Sequence, residues 1–167
     1  EIGSNYLISA DVARGDGKDY STFHVMKLET LEIIAEYQGK IPPDDFSILL
    51  ANTGREYGNC MIVVENNSVG FAVLDKLIDN HNYPNVYWSR KSTHEQVEQY
   101  VAESQSGTIP GFSTTTKTRP LIIAKMEEYI RNKLIKIYST RILSEIKTFI
   151  WHYGKPEALR GYNDDLV

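Results

Sequence analysis

Cysteine is almost missing from this 167-residue sequence, with Cys60 its single example. No intrachain disulfide framework exists, which excludes the small stapled secreted scaffolds and favours a reducing, cytoplasmic setting. Long apolar runs are missing as well. None approaches the roughly 20 residues a membrane-spanning helix needs, and no charged-then-apolar leader opens the sequence. There is no internal repeat and no low-complexity tract. A Walker-type phosphate loop is also lacking, since Gly17-Lys18 is followed by Asp19 rather than by Ser or Thr. The four histidines (His24, His81, His94 and His152) have no metal-ligand spacing.

What remains is ordinary globular composition, 41% hydrophobic, 24% charged and 11% aromatic. One domain of this length buries about 70% of its unfolded surface, so its core needs no staple. The net charge of −4 argues against a generally basic nucleic-acid binder, but the charge is unevenly placed. Residues 117–147 hold eight bases against three acids, a balance of +5, which leaves −9 for the remainder. A solvated helix face is the plain reading of such a run.

Residues 5–12, 20–28 and 31–38 read as three strands with short connections, an antiparallel meander. Pro42-Pro43 followed by Asp44 and Asp45 starts a helix carrying Phe46, Leu49 and Leu50, to about Tyr57. The unbroken apolar run Cys60-Met61-Ile62-Val63-Val64 suits a central strand covered on both faces, with Cys60 a small buried hydrophobe. Asn66-Asn67-Ser68 caps a helix with Phe71, Leu74, Leu77 and Ile78. Val86 to Trp88 is a short strand, and residues 89–112 form a long loop or hairpin. A helix over residues 118–132 directs Leu121, Ala124, Met126 and Ile130 to a core. It precedes a strand at 134–138 and a helix from Ser139/Thr140 with Ile142, Leu143, Ile146 and Ile150. Residues 163–167 read as a helix start. The expected class is α/β, a mixed sheet with helices on both faces.

Asp11 ends the first strand and Glu65 follows the central one. Strand ends of an α/β sheet form the crevice where ligands bind. Two carboxylates there repel and are costly to desolvate, and a divalent cation with oxygen ligands relieves both problems. Asp164-Asp165 can add a third carboxylate. Singly, each acid reads equally well as a turn former, a helix-leading acid or an N-cap.

Three blocks bear on the choice: Ser9-Ala10-Asp11-Val12-Ala13-Arg14-Gly15-Asp16-Gly17-Lys18-Asp19-Tyr20-Ser21, Val63-Val64-Glu65-Asn66-Asn67-Ser68-Val69-Gly70 and Arg160-Gly161-Tyr162-Asn163-Asp164-Asp165-Leu166-Val167. In this order they resemble the ribonuclease H-like nucleases, and more closely the nuclease domain of the terminase large subunit of T-even-type tailed phages. The resemblance implies a single ribonuclease H-like domain over residues 1–167, with Asp11, Glu65 and Asp165 catalytic and Asp164 an auxiliary metal ligand. Asp19 would steady the glycine turn. Arg14 departs from relatives that carry an acid there. Because Glu1 is not an initiator Met, the chain is expected to be a piece of a longer one, with an ATPase domain upstream and an apolar helix following Val167 in the family.

The implied activity is endonucleolytic cleavage of double-stranded viral concatemers during genome packaging, by two-metal hydrolysis with Mg²⁺ or Mn²⁺. Asp11 would bridge both ions, Glu65 would hold one and orient water, and Asp165 would complete the other. The implied partners are double-stranded DNA, the ATPase domain, the portal and the small terminase subunit, in the host cytoplasm at the procapsid and without a membrane. Arg90, Lys91, Lys117 and Arg119 flank the polar loop and are the candidates for phosphate contacts. Arg14-Gly15-Asp16 spells an adhesion tripeptide by chance. A Holliday-junction resolvase, an actin-like nucleotide-binding domain and a non-catalytic DNA-binding or scaffold domain remain the competing readings.

Overall fold

The structure, a computed structural model, describes residues 5–90, 99–101 and 104–167. In chain order its elements are β1 (Tyr6–Asp11), β2 (Ser21–Lys27), β3 (Glu32–Gly39), α1 (Pro43–Glu56), β4 (Met61–Val64) and α2 (Ser68–Asp75). Then come β5 (Trp88–Arg90), β6 (Gln99–Val101), β7 (Thr108–Pro110), α3 (Thr118–Arg131), β8 (Lys136–Ile137), α4 (Thr140–Thr148), β9 (Phe149–His152) and β10 (Lys155–Ala158). The first three strands form the expected antiparallel meander. β4 joins β1 in parallel and β8 joins β3 in parallel, giving a mixed sheet in the order β4-β1-β2-β3-β8.

Alternation along the strands divides the sheet into two faces. Ile8, Ala10, Phe23, Val25, Ile62 and Val64 are buried on one face, against Phe46, Leu50 and Ala51 of α1 and Val73 and Leu74 of α2. Full burial of each large apolar side chain contributes about 1.5–3 kcal/mol. Pro43 at the helix start, with Asp44 and Asp45 in the first turn, begins α1 as the sequence suggests. Asn67 caps α2 by accepting from the Val69 and Gly70 amides. The helix then widens into a π-helical turn, Lys76–Asn80. Ser9, His24, Met26 and Ile33 face the other way, toward α3 and α4.

Four expectations change. α4 stops at Thr148, where the run Phe149-Ile150-Trp151 goes into a strand. Tyr153 and Gly154 both take positive φ (47° and 78°) and join β9 to β10 as a two-residue hairpin, a turn type whose twist matches the paired strands. Residues 89–112 include an antiparallel sheet, β6-β5-β7. Leu121 and Ala124 are exposed rather than core, because α3 buries chiefly Ile123. Residues 163–167 end in a turn closed by the Val167 amide on the Asp164 carbonyl at 3.1 Å. No helix among the described residues is long and apolar enough to cross a membrane.

The basic run is largely a solvated, ion-paired surface. Lys125 pairs with Glu128, Arg131 with Glu127, Lys136 with Glu32 and Arg141 with Glu36. Such pairs contribute little each. The Lys136 ammonium and the Thr30 and Tyr138 hydroxyls hold the Glu32 carboxyl down at about 2.

Under α1, the Tyr83 hydroxyl donates to the Cys60 carbonyl at 2.6 Å. It fits there because Gly54 has no side chain, and a β-carbon on Gly54 would strike the phenol. Burial pushes the Cys60 thiol up to about 11, so it stays protonated. Tyr83→Phe leaves a buried carbonyl unpaired and should cost about 1–2 kcal/mol. Urea unfolding checks this, with a lower midpoint expected at unchanged slope; an unshifted midpoint would mean that the carbonyl is satisfied elsewhere.

Candidate active site

Parallel pairing of β1 and β4 carries two of the acids to one place. Ser9 registers with Val63 and Ala10 with Val64, and the Glu65 amide continues the ladder onto the Ala10 carbonyl at 2.9 Å. Asp11 and Glu65 therefore leave neighbouring strand ends together. On its other side Glu65 bridges to Phe112, and the Asn66 amide donates to the Phe112 carbonyl at 2.9 Å. The start of α2 closes over this corner. A β-carbon on Gly70 would collide with the Glu65 carbonyl, so only glycine lets the helix approach so closely.

The third acid comes from the far end of the sequence. Asp11 registers with Thr22 on β2, and the Thr22 hydroxyl donates to the Asp165 carbonyl at 2.6 Å. The Tyr20 amide donates to the Asp165 carboxylate. One residue on, the Leu166 amide donates to Glu145 of α4 at 2.7 Å, while Gln38 of β3 holds the other Glu145 oxygen at 3.2 Å. Asp164 turns to α3, where Arg119 donates to it at 2.7 Å.

Asp11, Glu65, Asp164, Asp165 and Arg119 thus line one cleft of about 220 Å³, together with Thr22, His24 and Phe112. Arg90 and Lys117 do not line it. Arg90 binds the Gln105 side chain at 3.0 Å beside the small sheet, and Lys117 is exposed just before α3. Lys91 and His94 lie outside the described residues. Asp19 is exposed on the glycine loop, where its charge adds to the repulsion on Asp165. Gly15 in that loop has a φ of 85°, and a β-carbon there would meet the Ile41 carbonyl at 2.6 Å.

The electrostatics are those of crowded carboxylates. Burial raises the Asp11 carboxyl to about 7, helped by its hydrogen bond to Glu65 and the Glu65 charge; the Val12 amide and Arg119 pull the other way. Burial also raises Asp165, with Asp19, Asp11 and Asp164 adding to the effect. Glu145 is raised by burial too. The Oδ2 of Asp165 is buried without a hydrogen-bond partner. The crowded Asp11 and Glu65 carboxyls beside the orphaned Asp165 oxygen form an oxygen-only donor set suited to a hard divalent cation. Among the described residues no three acidic, histidine or cysteine side chains already converge as a cage. Asp164 is engaged instead with Arg119.

Three contributors were not visible in the sequence. Glu145 acts across 21 residues and Thr22 across 143, so neither has a local signal. His24 was set aside for its spacing, yet it borders the cleft, and burial lowers its pKa, so the neutral ring is favoured.

No protein-family model matches the chain. Solved structures do. The large terminase nuclease from thermophilic phage G20c with bound magnesium superposes with a TM-score of 0.74 at 17% identity, over 99% of this chain and 78% of that one. Its cobalt-bound form gives 0.71 at 19% identity, over 99% and 77%. The Thermus phage P74-26 large terminase nuclease domain gives 0.66 at 18% identity, over 99% and 76%. This chain has the fold of a large terminase nuclease. The α/β class expected from the sequence, a mixed sheet with helices on both faces, is the one observed.

The raised acids make stability depend on pH in a definite direction. A carboxyl at about 7 when folded, against 3.8 for its ordinary value, stabilises the fold fully below pH 3.8. That contribution is lost as pH rises through 7. In chelator, melting temperature should therefore fall from pH 5 to pH 8, and Asp11→Asn should flatten the fall. At pH 8 the variant should melt higher by about 2–4 °C per kcal/mol of repulsion removed. A thermal melt series checks it, and parallel pH slopes for the two proteins would contradict the assignment.

Proposed function

We propose that this domain is a metal-dependent endonuclease that cuts double-stranded viral DNA during genome packaging, with Asp11, Glu65 and Asp165 as its catalytic carboxylates. The observation that carries this reading is the meeting of these acids, drawn from β1, β4 and the far C-terminal segment, in one cleft of a terminase nuclease fold. Asp11, Glu65 and Asp165 would hold Mg²⁺ or Mn²⁺, with Asp164 as an auxiliary ligand. The neighbouring phage nucleases were solved with magnesium and cobalt, which supports a divalent ion here. When bound, a pair of such ions activates water and stabilises charge on the phosphoryl oxygens.

The chain's own groups supply the rest. Glu65, at the strand end beside Asp11, would help orient the attacking water. In this reading the contacts to DNA are to phosphates rather than to base edges, which gives cutting of low sequence preference. Lys117, Arg90 and Lys91 are the candidate phosphate contacts beyond the cleft. In this reading the domain works beside an ATPase domain, the portal and the small terminase subunit, in the host cytoplasm at the procapsid.

The test is plasmid cleavage with Mg²⁺, Mn²⁺ or EDTA. Cutting should need the metal and fall by at least ~100-fold in Asp11→Asn, with circular dichroism unchanged. Metal-independent cutting, or wild-type cutting by the variant, would overturn the reading. A marked preference for four-way junctions over linear duplex would instead favour a resolvase. A charge-reversal series at Lys117 should reduce the salt dependence of DNA binding; an unchanged slope removes Lys117 from the interface.

A further inference from the structure

Among the described residues lining the cleft, Arg119 is the only lysine or arginine, and it is held from two directions. Its Nη2 donates to Asp164 Oδ2 at 2.7 Å. Its Nε donates to the Pro156 carbonyl of β10 at 3.3 Å, and its guanidinium lies 5.9 Å from the centre of the Phe149 ring of β9. The backbone behind it is fastened as well. The Arg119 amide donates to the Thr115 carbonyl at 2.9 Å, and the buried Thr118 hydroxyl donates to the Ser113 carbonyl at 3.2 Å. The hairpin and the start of α3 therefore hold the guanidinium whether or not Asp164 is there.

Asp164 is held differently. Its neighbours are anchored, Asp165 by its carbonyl on Thr22 and Leu166 by its amide on Glu145, but the Asp164 carboxylate has Arg119 as its ion-pair partner. The pair is partly open to solvent, with side-chain exposures of 43% and 32%. A pair of that kind is weak enough for a divalent cation to displace.

We propose that Arg119 is a positioning residue that competes with the divalent cation for Asp164, keeping that carboxylate out of the metal site until a cation exchanges for the guanidinium. This rests on the metal-site reading above. The released guanidinium, still held by Pro156 and Phe149, would then face the cleft as a phosphate contact. The ion pair is thus a threshold on cation occupancy that the β9–β10 hairpin sets through its hold on Arg119.

The test is Mn²⁺ binding to the DNA-free 167-residue chain, read from the electron paramagnetic resonance signal of the unbound ion. Arg119→Gln should tighten Mn²⁺ binding about fivefold, the factor a half-exposed ion pair represents. In an Asp164→Asn background the same substitution should tighten binding far less, because the contested carboxylate is gone and only the through-space effect of the lost charge remains. Equal tightening in both backgrounds would show that Arg119 acts only through space and would overturn the competition. Unchanged or weaker binding in Arg119→Gln would overturn it too. If Arg119→Gln fails to fold, Arg119→Lys, which loses the Nε bond to Pro156, carries the readout. A smaller tightening supports the proposal and wild-type affinity overturns it. A wild-type chain that takes up no Mn²⁺ would overturn the metal-site reading itself, an outcome distinct from an Arg119 failure.

Discussion

Everything in the cleft depends on the parallel pairing of β1 with β4. One ladder bond, from the Glu65 amide to the Ala10 carbonyl, makes Asp11 and Glu65 neighbours although 53 residues separate them. The pairing is cheap to maintain because Ile8, Ala10, Ile62 and Val64 bury the same face against α1 and α2. Repulsion between two carboxylates at one edge is therefore borne by a hydrophobic core beneath them. The fold carries an unfavourable interaction at the cleft edge and offsets it in the core.

The remaining parts act as braces around that edge. Asn67 and Gly70 bring the start of α2 down on the Glu65 backbone, and the Phe112 strand end holds it from the other side. Thr22 and Tyr20 seat Asp165 beside Asp11, while Glu145 ties the next residue to α4. Backbone amides and carbonyls do most of this holding. The Asp11 and Asp164 carboxylates accept from the Val12 amide and Arg119, whereas the buried Oδ2 of Asp165 has no hydrogen-bond partner.

Local patterns made much of this legible. β-branched and aromatic runs, the Pro43 helix start and the Asn67 cap identify β1 to β3 and both helices of the first face, and three sequence blocks point to the acids the cleft collects. The unbroken apolar run at β4 suggests a central strand, whereas β4 ends the five-stranded order and buries alternate residues. The failures have physical causes. Ile142, Ile146 and Ile150 keep helical spacing, so α4 seemed to run on, whereas the Tyr153-Gly154 turn imposes a hairpin that spacing does not reveal. Leu121 and Ala124 look like core residues by period, but α3 turns them outward. Arg119 looked like surface charge for a phosphate, and nothing local signals its pairing with Asp164. Glu145 and Thr22 act only through contacts far apart in sequence.

The Thr22 hydroxyl bond to the Asp165 carbonyl closes a loop of nearly the whole chain. Closing so long a loop is entropically costly, and non-local contacts of this kind form late in folding. During synthesis the first two carboxylates can be in place while the third has yet to be translated. Asp165 therefore joins the cleft only once the β1–β2 pairing that carries Thr22 has formed, which makes the third acid the last to arrive.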